Sequence, residues 1–118
     1  MALYRTKQGW ITIESKAHAK TILYALADDD KRNILMTLVN NPKSISEVLT
    51  KCKIPKTSGY RKINSLIHAG LIRKAGSIHN ENNKQLTTYV SMFSDLKIDF
   101  VKREAIVKIR PKRILKNN

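Results

Sequence analysis

Apolar residues recur along this chain first with the period of a helix and later with that of a strand. Ala19, Ile22, Leu23 and Leu26 stand three and four apart, which predicts a first helix over 16–27 with Ser15 as its N-cap. Ile34, Leu35, Leu38 and Val39 repeat the pattern and predict a second helix from about Asp29 to Asn40, ended by Asn40-Asn41-Pro42. Asp28-Asp29-Asp30 is the one acidic run. It reads as a helix start, where carboxylates cap free N–H groups and oppose the positive end of the dipole. Ser44-Ile45-Ser46-Glu47 is a capping box opening a short third helix that buries Ile45, Val48 and Leu49. Cys52 to Pro55 leaves room only for a turn, and a fourth helix runs from Lys56 to its stop at Ala69-Gly70.

The fourth helix has two unlike faces. At about 100° per residue, Gly59, Ile63, Leu66 and Ile67 fall on one side. Thr57, Ser58, Arg61, Asn64, Ser65 and His68 fall on the other, with no acid among them. One face is suited to burial and the other to a polyanion. Gly59 lies on the apolar face without a side chain to bury. It costs the helix about 1 kcal/mol relative to alanine, which suggests a close approach by the preceding helix.

Beyond Gly70 the period falls to two. Residues 71–75 and 86–92 predict the strands of a β-hairpin, with Gly76, Asn80, Asn82 and Asn83 in its tip. Leu96, Ile98 and Phe100, then Ala105, Val107 and Ile109, alternate with polar neighbours and predict a second hairpin turning at Lys102-Arg103-Glu104; a helix from Asp95 to Ile109 is the weaker alternative, since the period of two and the Val/Ile content favour strands. Pro111 stops regular structure. Near the start, Trp10 to Ile13 favours a short strand; alternatively Tyr4, Trp10, Arg5 and Lys7 form an arm. The chain thus divides into an N-terminal strand or arm (1–14), a helical domain closed by the first hairpin (15–93), a C-terminal β-hairpin that is a candidate dimerisation element (94–111) and a basic tail (112–118), containing Lys112, Arg113 and Lys116.

Charge changes the picture more than composition does. A length of 118 residues fits one domain, and 42% hydrophobic content is ordinary. But 23 lysines and arginines stand against 9 acids, a formal +14, which points to a polyanionic partner. Between Val48 and Asn80 there are seven basic residues and no acid. Nucleic acid is the foremost partner and an anionic membrane surface a distant second; with the motifs below, the expected partner is double-stranded DNA and no membrane. A single cysteine, Cys52, excludes an internal disulfide and a multi-cysteine zinc site and suits a reducing cytosol. Cys52 reads as a small turn residue; a redox-active thiol favoured by Lys51 and Lys53 is the other reading. No apolar run suits a signal peptide or a membrane span, so a cytoplasmic, nucleoid-associated protein is expected. His18, His68 and His79 fall on different elements, and no metal or other cofactor is expected. No nucleophile with a placed base, paired carboxylate or phosphate loop appears, so no enzymatic activity is expected.

The ordered set LADDDKRNIL at 26–35, SISEVL at 44–49 and IPKTSGYRKINSLIHAGLIRK at 54–74, followed by a hairpin ending in Thr88-Tyr89, resembles the ArsR-like winged-helix transcriptional regulators, with the wider MarR-like group close behind, and its shape suggests an archaeal member. The resemblance covers about 68 residues, from Leu26 to about Phe93. It implies an α+β fold: a winged helix-turn-helix with four helices, a β-hairpin wing and, here, an additional C-terminal β-hairpin. It further implies a homodimer reading a pseudo-palindromic DNA site. Carried over by position, the reading residues are Lys56, Thr57, Ser58, Tyr60 and Arg61. Lys62 and Asn64 extend the set along the helix, and Arg73, Lys74, His79, Asn80 and Lys84 form a wing suited to phosphates or a minor groove. The chain departs from the family three times, first at Gly59, which sits where an apolar core residue is usual. The third helix, SISEVLTK, lacks the paired cysteines of metal-sensing members, and the C-terminal segment is stranded where family dimers often use a long helix. The effector remains unassigned. Two other readings of the same fold stay open: an architectural DNA-coating protein, and a protein-interaction module.

Overall fold

A computed structural model describes residues 9–111. In chain order the elements are β1 (Ile11–Thr12), α1 (Lys16–Leu26), α2 (Asp29–Asn40), β2 (Lys43–Ser44), α3 (Ile45–Cys52), α4 (Lys56–His68), β3 (Ile72–His79), β4 (Gln85–Ser91), β5 (Phe93–Val101) and β6 (Glu104–Pro111). Three helices begin at side chains that the sequence marks as caps. The Ser15 hydroxyl accepts from the N–H of His18 at 3.2 Å, the Asp28 carboxylate from Lys31 at 3.0 Å, and the Ser44 hydroxyl from Glu47 at 3.2 Å. Each satisfies one of the donors that a helix start leaves free.

The apolar faces meet in one core. Ile22 of α1, Ile34 and Leu38 of α2, Val48 and Leu49 of α3, Ile63 and Leu66 of α4, and Val107 of β6 are all fully buried. Burying a side chain of this size stabilises by roughly 1.5–3 kcal/mol, so this cluster holds the four helices and the second hairpin as one unit. The Ser91 hydroxyl is buried with it and donates to the Leu35 carbonyl at 2.7 Å, joining β4 to α2.

The strands form two three-stranded antiparallel sheets, ordered β2-β4-β3 and β1-β6-β5. Both hairpins lie where the alternation places them, but three details differ from expectation. First, β3 runs on to His79, so Gly76 is not in the hairpin tip. It lies within the strand, next to a register break between Lys74 and Gly76 that sets Ala75 out of the ladder. The tip is residues 80–84. There the Asn80 side-chain carbonyl accepts from the N–H groups of Asn82 at 3.0 Å and Lys84 at 2.9 Å. Second, Lys43 and Ser44 pair with Tyr89 and Thr88, adding β2 to the wing sheet. Third, Ile11 and Thr12 pair with Ile109 and Lys108, so the N-terminal strand and the C-terminal hairpin share one sheet. Trp10 stacks with Arg110, 4.5 Å from its ring, and Lys97, 4.9 Å from it, on the solvent side of that sheet. The second hairpin turns at Lys102-Arg103, both with positive φ (51° and 66°), as a two-residue hairpin loop requires. The rest of the expected arm (1–8) and the basic tail (112–118) lie outside the described residues. No described helix is long and apolar enough to cross a membrane.

Candidate nucleic-acid interface

The interface begins with how α4 is held. Its inner face is Gly59, Ile63 and Leu66, all buried. Gly59 is where α3 comes closest: a Cβ there would lie 2.5 Å and 2.7 Å from the two methyls of Leu49. The glycine that weakens the helix on paper is therefore the residue that lets α3 and α4 pack. α3 leaves by a left-handed Lys53 (φ 57°), whose N–H donates to Thr50 O at 3.2 Å while that of Ile54 donates to Leu49 O at 2.9 Å. This tight reversal aims α4 across α3.

The outer face of α4 presents Lys56, Thr57, Tyr60, Arg61, Asn64 and His68, all exposed. Tyr60 is 44% exposed, at the edge of this face. Ser58 is half-buried, and its hydroxyl donates to the Pro55 carbonyl at 3.4 Å. α4 starts after Pro55 with no side-chain cap, so the positive end of its dipole is not neutralised by its own chain. Arg73, Lys74, His79, Asn80 and Lys84 are exposed along β3 and its turn, on the hairpin that follows α4 directly.

Lys62 is the exception among the candidate residues. Its ammonium lies 2.8 Å from Asp30 and 3.1 Å from Asp28, and its side chain is only 20% exposed. It ties α4 to the start of α2. The hydrogen bonds to Asp30 and then Asp28 raise its pKa above the ordinary lysine value. The acidic run is thus engaged throughout: Asp29 pairs with Arg32, which also donates to the Leu26 carbonyl. A second lysine, Lys31 of α2, donates to the exposed Ser65 hydroxyl of α4 at 3.0 Å. Sequence reasoning missed both cross-helix contacts. The i, i+4 and capping rules used for the acids are local, and these partners are more than thirty residues apart.

The Asp28 carboxyl is held below its ordinary range, first by the N–H of Lys31 and next by the Lys62 side chain. The folded chain therefore binds this proton more weakly than the unfolded chain does. Its contribution is full above the ordinary carboxylate pKa and is lost as pH falls through the lower folded value. Asp28→Asn is expected to flatten the fall in stability as pH drops through and below the ordinary carboxylate range, as read by urea unfolding at each pH. An unchanged acid limb would show that the clamp carries no linkage.

Cys52 is half-buried at the end of α3, with its sulfur 3.4 Å from the Thr37 hydroxyl. His18 meets the Ala69 carbonyl through Nε2 at 3.3 Å, while His68 and His79 are exposed on α4 and β3. Among the described residues no group of three or more metal-ligating side chains comes together.

A three-helix unit, α2 to α4, whose last helix is clamped on one face and open on the other and runs into a β-hairpin, defines a winged helix-turn-helix domain; α1 and the β1-β6-β5 sheet are added to it. Solved structures share this fold. Reduced HlyU from Vibrio cholerae N16961 is similar over 66% of this chain and 76% of its own, at 19% identity and a TM-score of 0.53. NolR from Sinorhizobium fredii covers 66% and 72% at 18% identity and the same TM-score. A second HlyU structure from Vibrio cholerae N16961 covers 67% and 80%, at 21% identity and a TM-score of 0.53. No protein-family model and no curated protein sequence matches the chain.

Proposed function

We propose that this protein is a DNA-binding transcriptional regulator of the ArsR-like type that acts as a homodimer on a pseudo-palindromic site. The observation that carries the reading is the outer face of α4. It is exposed and acid-free, and it is braced from behind by the Leu49–Gly59 contact and the Lys62 clamp. A rigid helix of this kind fits the major groove, where Arg61 can donate two bonds to guanine O6 and N7 and Asn64 can pair with adenine. Lys56 and the uncapped helix start suit a phosphate. Arg73, Lys74, His79 and Lys84 suit the backbone beside the groove. The fold shared with HlyU and NolR supports the reading, as does a formal charge of +14. Lys62, with its charge already engaged by two carboxylates, takes the role of brace in place of contact.

In a two-fold dimer the two α4 helices would enter successive major grooves about 34 Å apart. Selection of bound duplexes from a random pool tests this directly. An inverted repeat with half-sites one helical turn apart is the expected result. Uniform binding of every duplex would instead favour the architectural reading, for which the basic residues outside α4 speak. Absence of binding to any duplex at low salt would leave the protein-interaction module.

A further inference from the structure

The β1-β6-β5 sheet ends on β5, whose nine residues have no strand on their outer side among the described residues. Open edges of this length are commonly shortened or covered, because their free N–H and C=O groups template further pairing. β5 is also amphipathic. Leu96, Ile98 and Phe100 share a face with their partners Ile109, Val107 and Ala105 on β6. Val107 is in the core, but the face then leaves the helices behind: Ile98 is 45% and Phe100 78% exposed. The opposite face alternates Asp95, Lys97 and Asp99. A two-residue turn is closed by a hydrogen-bonded pair, here Val101 and Glu104, and such pairs alternate along an antiparallel ladder. Leu96, Ile98 and Phe100 therefore turn their backbone groups toward the open edge.

Two copies of one strand can pair antiparallel about a two-fold axis, with both sheets keeping the same face inward, only if some residue faces itself. Centring on Lys97 sets Lys97 against itself and Asp95 against Asp99. Centring on Asp99 sets that acid against itself. Centring on Ile98 sets Lys97 against Asp99 twice, Leu96 against Phe100 twice, and Ile98 against Ile98. Of these registers it alone opposes unlike charges and apolar groups from Leu96 to Phe100, with Asp95 meeting Val101 at the ends, and like charges directly opposite destabilise. It also brings Phe100 of one copy beside Leu96 of the other. There a cavity of about 260 Å³ opens between β5 and α2, lined by Leu26, Leu35, Met36, Val39, Phe93 and Leu96 among others. Its rim residue Met36 is 72% exposed. Asp99 already bonds Lys108 at 3.0 Å, and its carboxylate has acceptor sites for a second lysine.

We infer that β5 is the seam of the homodimer: a second copy of this chain pairs along it in the register centred on Ile98, continuing the sheet to six strands and seating each Phe100 in the other copy's α2–β5 cavity. The inference rests on the homodimer reading above and names its surface.

Sedimentation equilibrium of the full chain and its variants tests it. The unaltered chain is expected to be dimeric. Lys97→Asp alone and Asp99→Lys alone each set like charges opposite one another twice, and each is expected to raise the dimer dissociation constant roughly tenfold or more. An equal mixture of the two is expected to recover the dimer, because each junction then holds one acid against one lysine. Phe100→Ser, at an exposed position that the monomer's core does not need, is expected to weaken association as well. Circular dichroism melts identify which variants are folded. A wild-type dimer that folded single variants and Phe100→Ser leave intact overturns the seam while the homodimer reading stands. Folded monomeric variants that fail to associate on mixing overturn the register. A wild-type chain that is monomeric both free and on a selected duplex overturns the seam and the homodimer reading together.

Discussion

Gly59→Val is expected to cost the fold about 3 kcal/mol or more, a large part of the roughly 5–15 kcal/mol that holds a domain together. The added Cβ would lie 2.5 Å and 2.7 Å from the Leu49 methyls and 3.1 Å from its Cγ. Leu49 is 2% exposed, so moving its side chain away disturbs other close-packed core groups. Overpacking of one methylene costs about 1–3 kcal/mol, and the branched valine adds two further methyls. Gly59→Ala is the finer test, because two effects oppose. Alanine gains about 1 kcal/mol of helix propensity and loses more than that to the contact. In a Leu49→Ala background, itself about 2–5 kcal/mol less stable, the contact is gone and Gly59→Ala becomes stabilising. Urea unfolding of the four-member cycle measures the reversal. If the two substitutions add within about 0.5 kcal/mol, α3 and α4 do not meet tightly at this glycine. Since Gly59 sits between Ser58 and Tyr60, the same substitution displaces the helix that carries the candidate contacts.

Arg61→Ala is expected to lower affinity for the selected duplex by about 1–3 kcal/mol while leaving random duplexes nearly unaffected. Lys74→Ala and Lys84→Ala are expected to weaken all duplexes alike and to reduce the slope of log K against log salt by about 0.9 each. Lys62→Ala separates the brace from the contacts. Its ammonium already faces Asp28 and Asp30, so its removal is expected to lower thermal stability and leave the salt slope unchanged. Fluorescence anisotropy over a salt series reads all four variants. A selected-to-random ratio that Arg61→Ala does not change would remove α4 as the reading element.

The helices were legible in the sequence because their signals are local. Ser15, Asp28 and Ser44 each cap a helix within three residues, and the apolar spacing within each helix decides its buried face. The strands of both hairpins were legible from alternation, since each pairs with its neighbour in the chain. β2 was not. Two residues carry no period, and their partners, Tyr89 and Thr88, lie more than forty positions away. Gly76 was misplaced because a glycine inside a strand and a glycine in a turn look the same until the register is known. Lys62 was grouped with the DNA-contacting residues because it is a cation on a basic helix. Its use as a brace depends on where the start of α2 comes to rest.

By itself, the sequence determined the four helices, the two hairpins, the acid-free face of α4 and the expectation of a polyanionic partner, all of which follow from residue type and short-range spacing. The tertiary structure alone decided why Gly59 is a glycine, that Lys62 is the α4 cation engaged by Asp28 and Asp30, that β1 closes on β6, and that Ile98 and Phe100 extend past the core along a strand with no outer neighbour among the described residues. These depend on pairs brought together from distant parts of the chain, and close packing, ion pairing and strand register arise only once both members are in place.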